Sequence, residues 1–127
     1  MEIIIKNFID LIEPNKKHEY FVASEIFHWL TQWYVSNCNE DWEHSYGISI
    51  KTLDNPGWMV DIDLWDTEIE NEFFEKVFLY NNEKDWLFCK VENNVFKGRG
   101  DLDKLEQILE IFKNWQECLT DRNENDL

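Results

Sequence analysis

Apolar residues recur along the chain in two different periods, and the switches between them mark its elements. From Lys17 to Ser36, KHEYFVASEIFHWLTQWYVS, the residues Val22, Ile26, Trp29, Leu30 and Trp33 fall three or four positions apart. That spacing places them on one stripe of an amphipathic helix, which Phe27 and Tyr34 widen. The turn-formers of NCNED end it at residues 37–41. The period then drops to two. Tyr46, Ile48 and Ile50 share one face of a strand, with Gly47, Ser49 and Lys51 opposite. Trp58, Val60, Ile62 and Leu64 share one face of a second strand, with Asp61 and Asp63 opposite. Between them DNPG predicts a type II turn with Pro56 and Gly57 at its central positions.

The remaining segments are read the same way. Residues 2–12 combine a β-branched run with helical spacing at Ile5, Phe8, Ile9 and Ile12, and a helix is expected there until Pro14. FFEKVFLY, residues 73–80, fits a strand or a short helix. DWLFCKV and NVFKG predict a second hairpin across Glu92, Asn93 and Asn94. Asp101 is an N-cap candidate for a helix from Leu102 to about Leu119, whose inner stripe is Leu102, Leu105, Ile108, Leu109, Phe112 and Trp115. Residues 120–127 read as a frayed polar tail, and residues 1–20 as an N-terminal extension. Helix, strands and helix in that order predict one α+β domain over residues 1–127. Its antiparallel sheet would have four to five strands from two hairpins, an N-terminal and a C-terminal helix on one face, and the other face partly open.

Composition narrows the classes of function. With 43% hydrophobic and 16% aromatic residues the chain can bury a core. Its net charge of -15 repels polyphosphate, which argues against nucleic acid as a partner. The acids are concentrated: Glu40 to Glu75 holds eleven of them against one base, Lys51. Asp61 and Asp63, on the outward side of their strand, suggest an acidic sheet face that would steer a basic partner into register. A solvated face is the plainer alternative. The three cysteines, Cys38, Cys89 and Cys118, are too few and too far apart for a disulfide framework, so a reducing, cytoplasmic compartment is expected. No leader with a basic start and no apolar run of membrane-spanning length is read in the sequence.

Candidate chemistry is thin. Glu43, His44 and Asp63 could assemble a small acid–base site only if folding brought them together. His18, His28, His44 and the cysteines lack ligand spacing, so no metal is expected, and no cofactor fingerprint is present. Cys38 with His44 could form a nucleophile and base, but Cys38 falls at a helix C-terminus, where the dipole disfavours a thiolate. Trp42, Trp58 and Trp86 are expected to close the hydrophobic face at strand ends, and any exposed aromatic would permit a dimer.

Two stretches carry a resemblance. WYVSNCNEDWEHSYGISIKTLDNPGWMVDIDL, with the pair Trp42–Glu43 and the triplet Pro56–Gly57–Trp58, is similar to the immunity protein 53 family of bacterial polymorphic toxin systems. EKDWLFCKVENNVFKGRGDLDKLEQILEIFKNW resembles the second half of that family, and the resemblance as a whole runs from about Glu25 to Trp115. Residues 1–20 exceed the usual start of the family, and Asp101 stands in a loop where a glycine–proline character is usual. The resemblance implies an α+β fold and a non-enzymatic, cytoplasmic protein that neutralises a cognate toxin by stoichiometric binding. Many such toxins are nucleases with basic clefts. Glu43, Asp61, Asp63 and Trp65 are the contact candidates. The rivals are a small enzyme using Glu43, His44 and Asp63, and a generic acidic adaptor.

Overall fold

The structure is a computed structural model and describes residues 25–125, with side chains described as far as residue 122. The helix expected at 2–12 and the first part of the helix expected from Lys17 lie outside these residues. Helix α1 spans Glu25–Asn37, and a single turn, α2, spans Trp42–Ser45. Strands β1 (Ile48–Leu53) and β2 (Gly57–Asp63) follow. After the connection 64–76 come β3 (Val77–Asn82), β4 (Asp85–Glu92), β5 (Val95–Gly100) and helix α3 (Leu105–Asn125). The strands form one antiparallel sheet in the order β1-β2-β5-β4-β3. With the helices beside it, this is the expected α+β arrangement.

Register turns the alternating pattern into layers. One face carries the rows Ile48–Ile62–Phe96–Val91 and Ile50–Val60–Gly98–Cys89–Val77. Val60, Ile62, Phe96, Leu87 and Cys89 of this face are fully buried against Ile108, Leu109 and Phe112 of α3. Helix α1 adds Ile26, Leu30 and Trp33, with Trp33 and Trp29 set edge-on to Phe112 at 5.0 and 5.9 Å. The helix reaches the sheet because β5 is bare there. A Cβ on Gly98 would overlap the Ile108 side chain, and one on Gly100 would lie 2.7 Å from Lys104 Cβ. Glycine at these positions is a packing requirement of the middle strand.

Three local expectations are corrected. The β1–β2 turn is not type II: the Asn55–Pro56 peptide is cis, Gly57 does not have a positive φ, and Leu53 pairs with Gly57. Glycine is required at 57 for space instead, since a Cβ would lie 2.5 Å from the Gly100 carbonyl oxygen. The last helix begins at Leu105, not Leu102, which is exposed, and it runs on to Asn125 through residues expected to belong to a frayed tail. Asp101 does not cap it as expected. The Asp101 carboxylate accepts the Trp86 and Asp103 N–H groups at 2.8 Å each and the Lys104 ammonium at 2.7 Å. It thereby joins the start of β4 to the helix entry. Of FFEKVFLY, only the second half pairs as a strand. The β4–β5 hairpin turns through Asn93 and Asn94, both at positive φ (53° and 57°), a geometry of the type I′ turn that asparagine tolerates. No described helix is long and apolar enough to cross a membrane.

Burial by itself would raise the Asp101 pKa, but the Lys104 ammonium and the two N–H donors hold it below the usual aspartate range. Hydrogen bonds from Lys104 and Asn81 hold Asp85 low as well, and Asp101 with Asp85 holds Lys104 high. The carboxylates therefore stabilise the fold above their unfolded pKa of about 4 and lose that contribution as pH falls through their lower folded values. Lys104 contributes below about pH 10 and loses its share as pH rises through its raised value. In chemical denaturation, wild-type stability should fall from about pH 4 downwards, and Asp101→Asn should flatten that fall. Gly98→Ala should cost about 1–3 kcal/mol by displacing Ile108, with the denaturation midpoint as the measure.

Candidate protein-binding site

Acids without ladder partners would ordinarily sit on a loosely held loop. The connection 64–76 carries Asp66, Glu68, Glu70, Glu72 and Glu75, yet it is fastened along its length. The Leu64 N–H donates to the Asn94 carbonyl at 2.8 Å, and Thr67 Oγ1 donates to the Leu64 carbonyl at 2.7 Å. Asn71 and Asn94 pair reciprocally: the Asn71 N–H donates to Asn94 Oδ1 at 2.8 Å and Asn94 Nδ2 to Asn71 Oδ1 at 2.9 Å. Buried Asn94 is thus satisfied at the hairpin turn around which the connection wraps. Further on, Trp115 Nε1 donates to the Phe73 carbonyl at 2.9 Å, and Arg122 bonds Glu72 at 3.2 Å. Ile69 is buried as an apolar anchor, and Asp66 and Asn71 take the positive φ values (59° and 63°) that their residue types tolerate.

The connection is also tied to the helical layer. The buried Trp42 ring packs edge-on against Trp33 at 6.1 Å and Tyr34 at 5.6 Å, and its Nε1 donates to the Trp65 carbonyl at 2.8 Å. The turn before Trp42 is closed from both sides. Asn39 Oδ1 accepts the Asp41 and Trp42 N–H groups, while the Glu43 carboxylate accepts those of Asn39 and Glu40 at 2.9 Å each. This is the reciprocal logic of a capping box. Bonding to its own N–H, then to those of Asn39 and Glu40, holds the Glu43 carboxyl below the usual glutamate range against partial desolvation. The result is an open cleft of about 440 Å³ between the two segments, lined on one side by Asn37, Cys38 and Asn39 and on the other by Asp66, Thr67 and Glu68. Glu40 and Asp41 are exposed beside it, as is Trp65, at 40% of its full surface.

The sequence candidates fall in different places. Trp65 stands on the acidic end and is presented to solvent. Glu43 is nearby but spends both carboxylate oxygens on the turn. Asp63 exchanges backbone and side-chain bonds with Gly47, accepting its N–H on Oδ2 at 2.9 Å. Asp61 lies mid-sheet, where Arg99 Nη1 bonds it at 2.8 Å. The open sheet face is not acidic. Its rows read Lys51–Met59–Arg99–Phe88–Phe78 and Ser49–Asp61–Lys97–Lys90, so bases from β4 and β5 answer the acids of β2. Alternation gave the correct side for Asp61 and Asp63 but could not show which strands flank them. Pro56, Gly57 and Trp58 occupy the opposite end of the sheet, where Trp58 Nε1 donates to the Leu102 carbonyl at 3.1 Å. Asp66 and Glu68 were not singled out in the sequence. Their only signal there was membership of the acid-rich window.

The acid–base alternative gains no support from this geometry. Among the described residues no hydrogen bond joins Glu43, His44 and Asp63, and no group of three His, Cys, Asp or Glu is placed to hold a metal ion. Cys38 donates its thiol to the Tyr34 carbonyl at 3.3 Å, and desolvation pushes the buried Cys89 thiol up to about 12.

A family model described as immunity protein 53 matches residues 27–117. No curated protein and no solved structure matches the chain.

Trp42→Phe keeps an aromatic ring in the core but strips the Trp65 carbonyl of its donor. It should cost about 2–3 kcal/mol in chemical denaturation. Hydrogen exchange should accelerate selectively over residues 65–71, while the β5 amides keep their protection relative to global unfolding.

Proposed function

The chain belongs to the immunity protein 53 family, and we propose that it neutralises a cognate toxin by binding it, with the acidic end of the sheet as the contact surface. Membership of the family points to an inhibitor rather than to a catalyst. The feature that carries the choice of surface is the fastened connection 64–76. It presents Asp66, Glu68 and Trp65 beside Glu40 and Asp41, across a cleft whose walls are held by Trp42. A preorganised acidic surface with an exposed indole meets two requirements of tight association. Charge speeds encounter with a basic partner, and a rigid aromatic anchor keeps the ordering cost low. The partner surface would be cationic, as the cleft of a nuclease toxin is. Glu43, Asp61 and Asp63 then serve by holding the turn, the sheet face and the β1 entry in place, and Trp65 makes contact directly.

Co-expression with the toxin domain encoded beside this gene should rescue growth and give a complex that co-purifies. Asp66→Lys with Glu68→Lys should slow association about tenfold or more at low salt, with the difference shrinking as salt rises. Trp65→Ala should instead speed dissociation. Charge reversal at Lys51, on the open sheet face, should leave both rates near wild type. If the Asp66 and Glu68 reversals bind the toxin with unchanged rates while Lys51→Glu changes them, the contact lies on the sheet face and the acidic end is not the site.

A further inference from the structure

The two edges of the sheet are built differently. Edge strands ordinarily carry charge to discourage pairing with another chain. β1 does so, with exposed Lys51 in its middle. β3, VFLYNN, contains no charged residue, and Phe78, Leu79 and Tyr80 are exposed by 70%, 53% and 60%. Phe78 opposes Phe88 on the open face, with ring centroids 6.1 Å apart. Leu79 points to the helical side opposite Leu87, yet no described helix covers it. The edge is therefore apolar on both faces, and among the described residues its outer backbone groups meet no further strand.

We propose that β3 is a self-association edge, on which a second copy of this chain pairs antiparallel to extend the sheet across a two-fold axis. Charge distribution favours a second copy despite the net charge of -15. Residues 25–75 hold twelve acids and one lysine, whereas residues 76–104 hold six bases and five acids. The β3 edge lies in the second, nearly neutral part, so two copies can meet there with their acidic ends kept apart.

The pattern of the strand is also self-complementary. A two-fold axis normal to the sheet keeps each side chain on its own face, so only residues of one face oppose each other. Centring it on Leu79 sets Phe78 of one copy opposite Tyr80 of the other, twice, and extends the Phe78–Phe88 contact into an aromatic row across the junction. The three exposed side chains offer roughly 350 Å² per copy. That is close to half of the ~800 Å² one side of a stable interface buries, before strand backbone and flanking residues are added.

Sedimentation equilibrium from about 1 to 100 µM tests this on the full chain without any toxin. The expected result is twice the 15.5 kDa chain mass at the upper concentrations. Leu79→Lys should return it to the chain mass with an unchanged far-ultraviolet spectrum. Leu79→Cys, with Cys38 and Cys118 replaced by serine, should form a disulfide-linked dimer on mild oxidation. A wild-type protein that stays at the chain mass overturns the proposal. So does a dimer that survives Leu79→Lys unchanged. A monomer whose co-purification with the toxin is lost on Leu79→Lys would assign the edge to a toxin strand instead, and would overturn it too. The Asp66 and Glu68 reversals should leave the sedimenting mass unaltered, so failure at one surface is separable from failure at the other.

Discussion

The hydrogen bond from the Trp42 indole to the Trp65 carbonyl joins the two layers of this molecule at its acidic end. On one side the indole is locked by Trp33 and Tyr34 of α1 and by Tyr46 before β1. On the other it fixes the second residue of a connection that would otherwise splay under its own charge. The local turn that presents Trp42 depends in turn on Glu43 and Asn39. A residue pair that reads as a motif in the sequence thus acts as a mechanical joint, one member turning the chain and the other reaching across it.

Tryptophan is used repeatedly in this way. Trp33 bonds Gln116, Trp58 bonds the Leu102 carbonyl, and Trp115 bonds the Phe73 carbonyl. In each case the ring supplies apolar area while the N–H satisfies an acceptor on another segment. The chain's wealth of tryptophan therefore serves to fasten connections as well as to fill the core, and Trp65 is the indole left presented. Rigid connections suit a protein that acts by binding, since less ordering is left to be done when the partner arrives.

Charge is unevenly distributed along the sheet. The end bearing the connection 64–76 gathers acids with few bases near them, while in the β3–β4–β5 half Lys90 and Lys97 pair with Glu92, Lys104 pairs with Asp85 and Asp101, and Arg99 reaches across to Asp61 of β2. A uniformly acidic protein would repel its own kind and attract a basic partner from any side. Segregation confines that attraction to one end and leaves an apolar edge free of it.

The sequence by itself determined the element types. Period-two runs at 46–64 and 85–99 and the three- to four-residue stripes of α1 and α3 depend only on local geometry, which every residue of an element shares. It also determined that an antiparallel sheet would carry its helices on one face, because Val60, Ile62, Phe96 and Phe112 must be buried somewhere. Tertiary structure alone decided what lies beside what. Asp61 became half of an ion pair because β5, more than thirty positions on, brought Arg99 next to it. Gly98 and Gly100 became the seat of α3 because Ile108 and Lys104 arrive there. The acids of 66–75 became a presented surface because Asn94, Trp42 and Trp115 hold the backbone beneath them. Periodicity reports which way a side chain faces, while the neighbour it meets is set by strand order and helix seating, which no local pattern encodes.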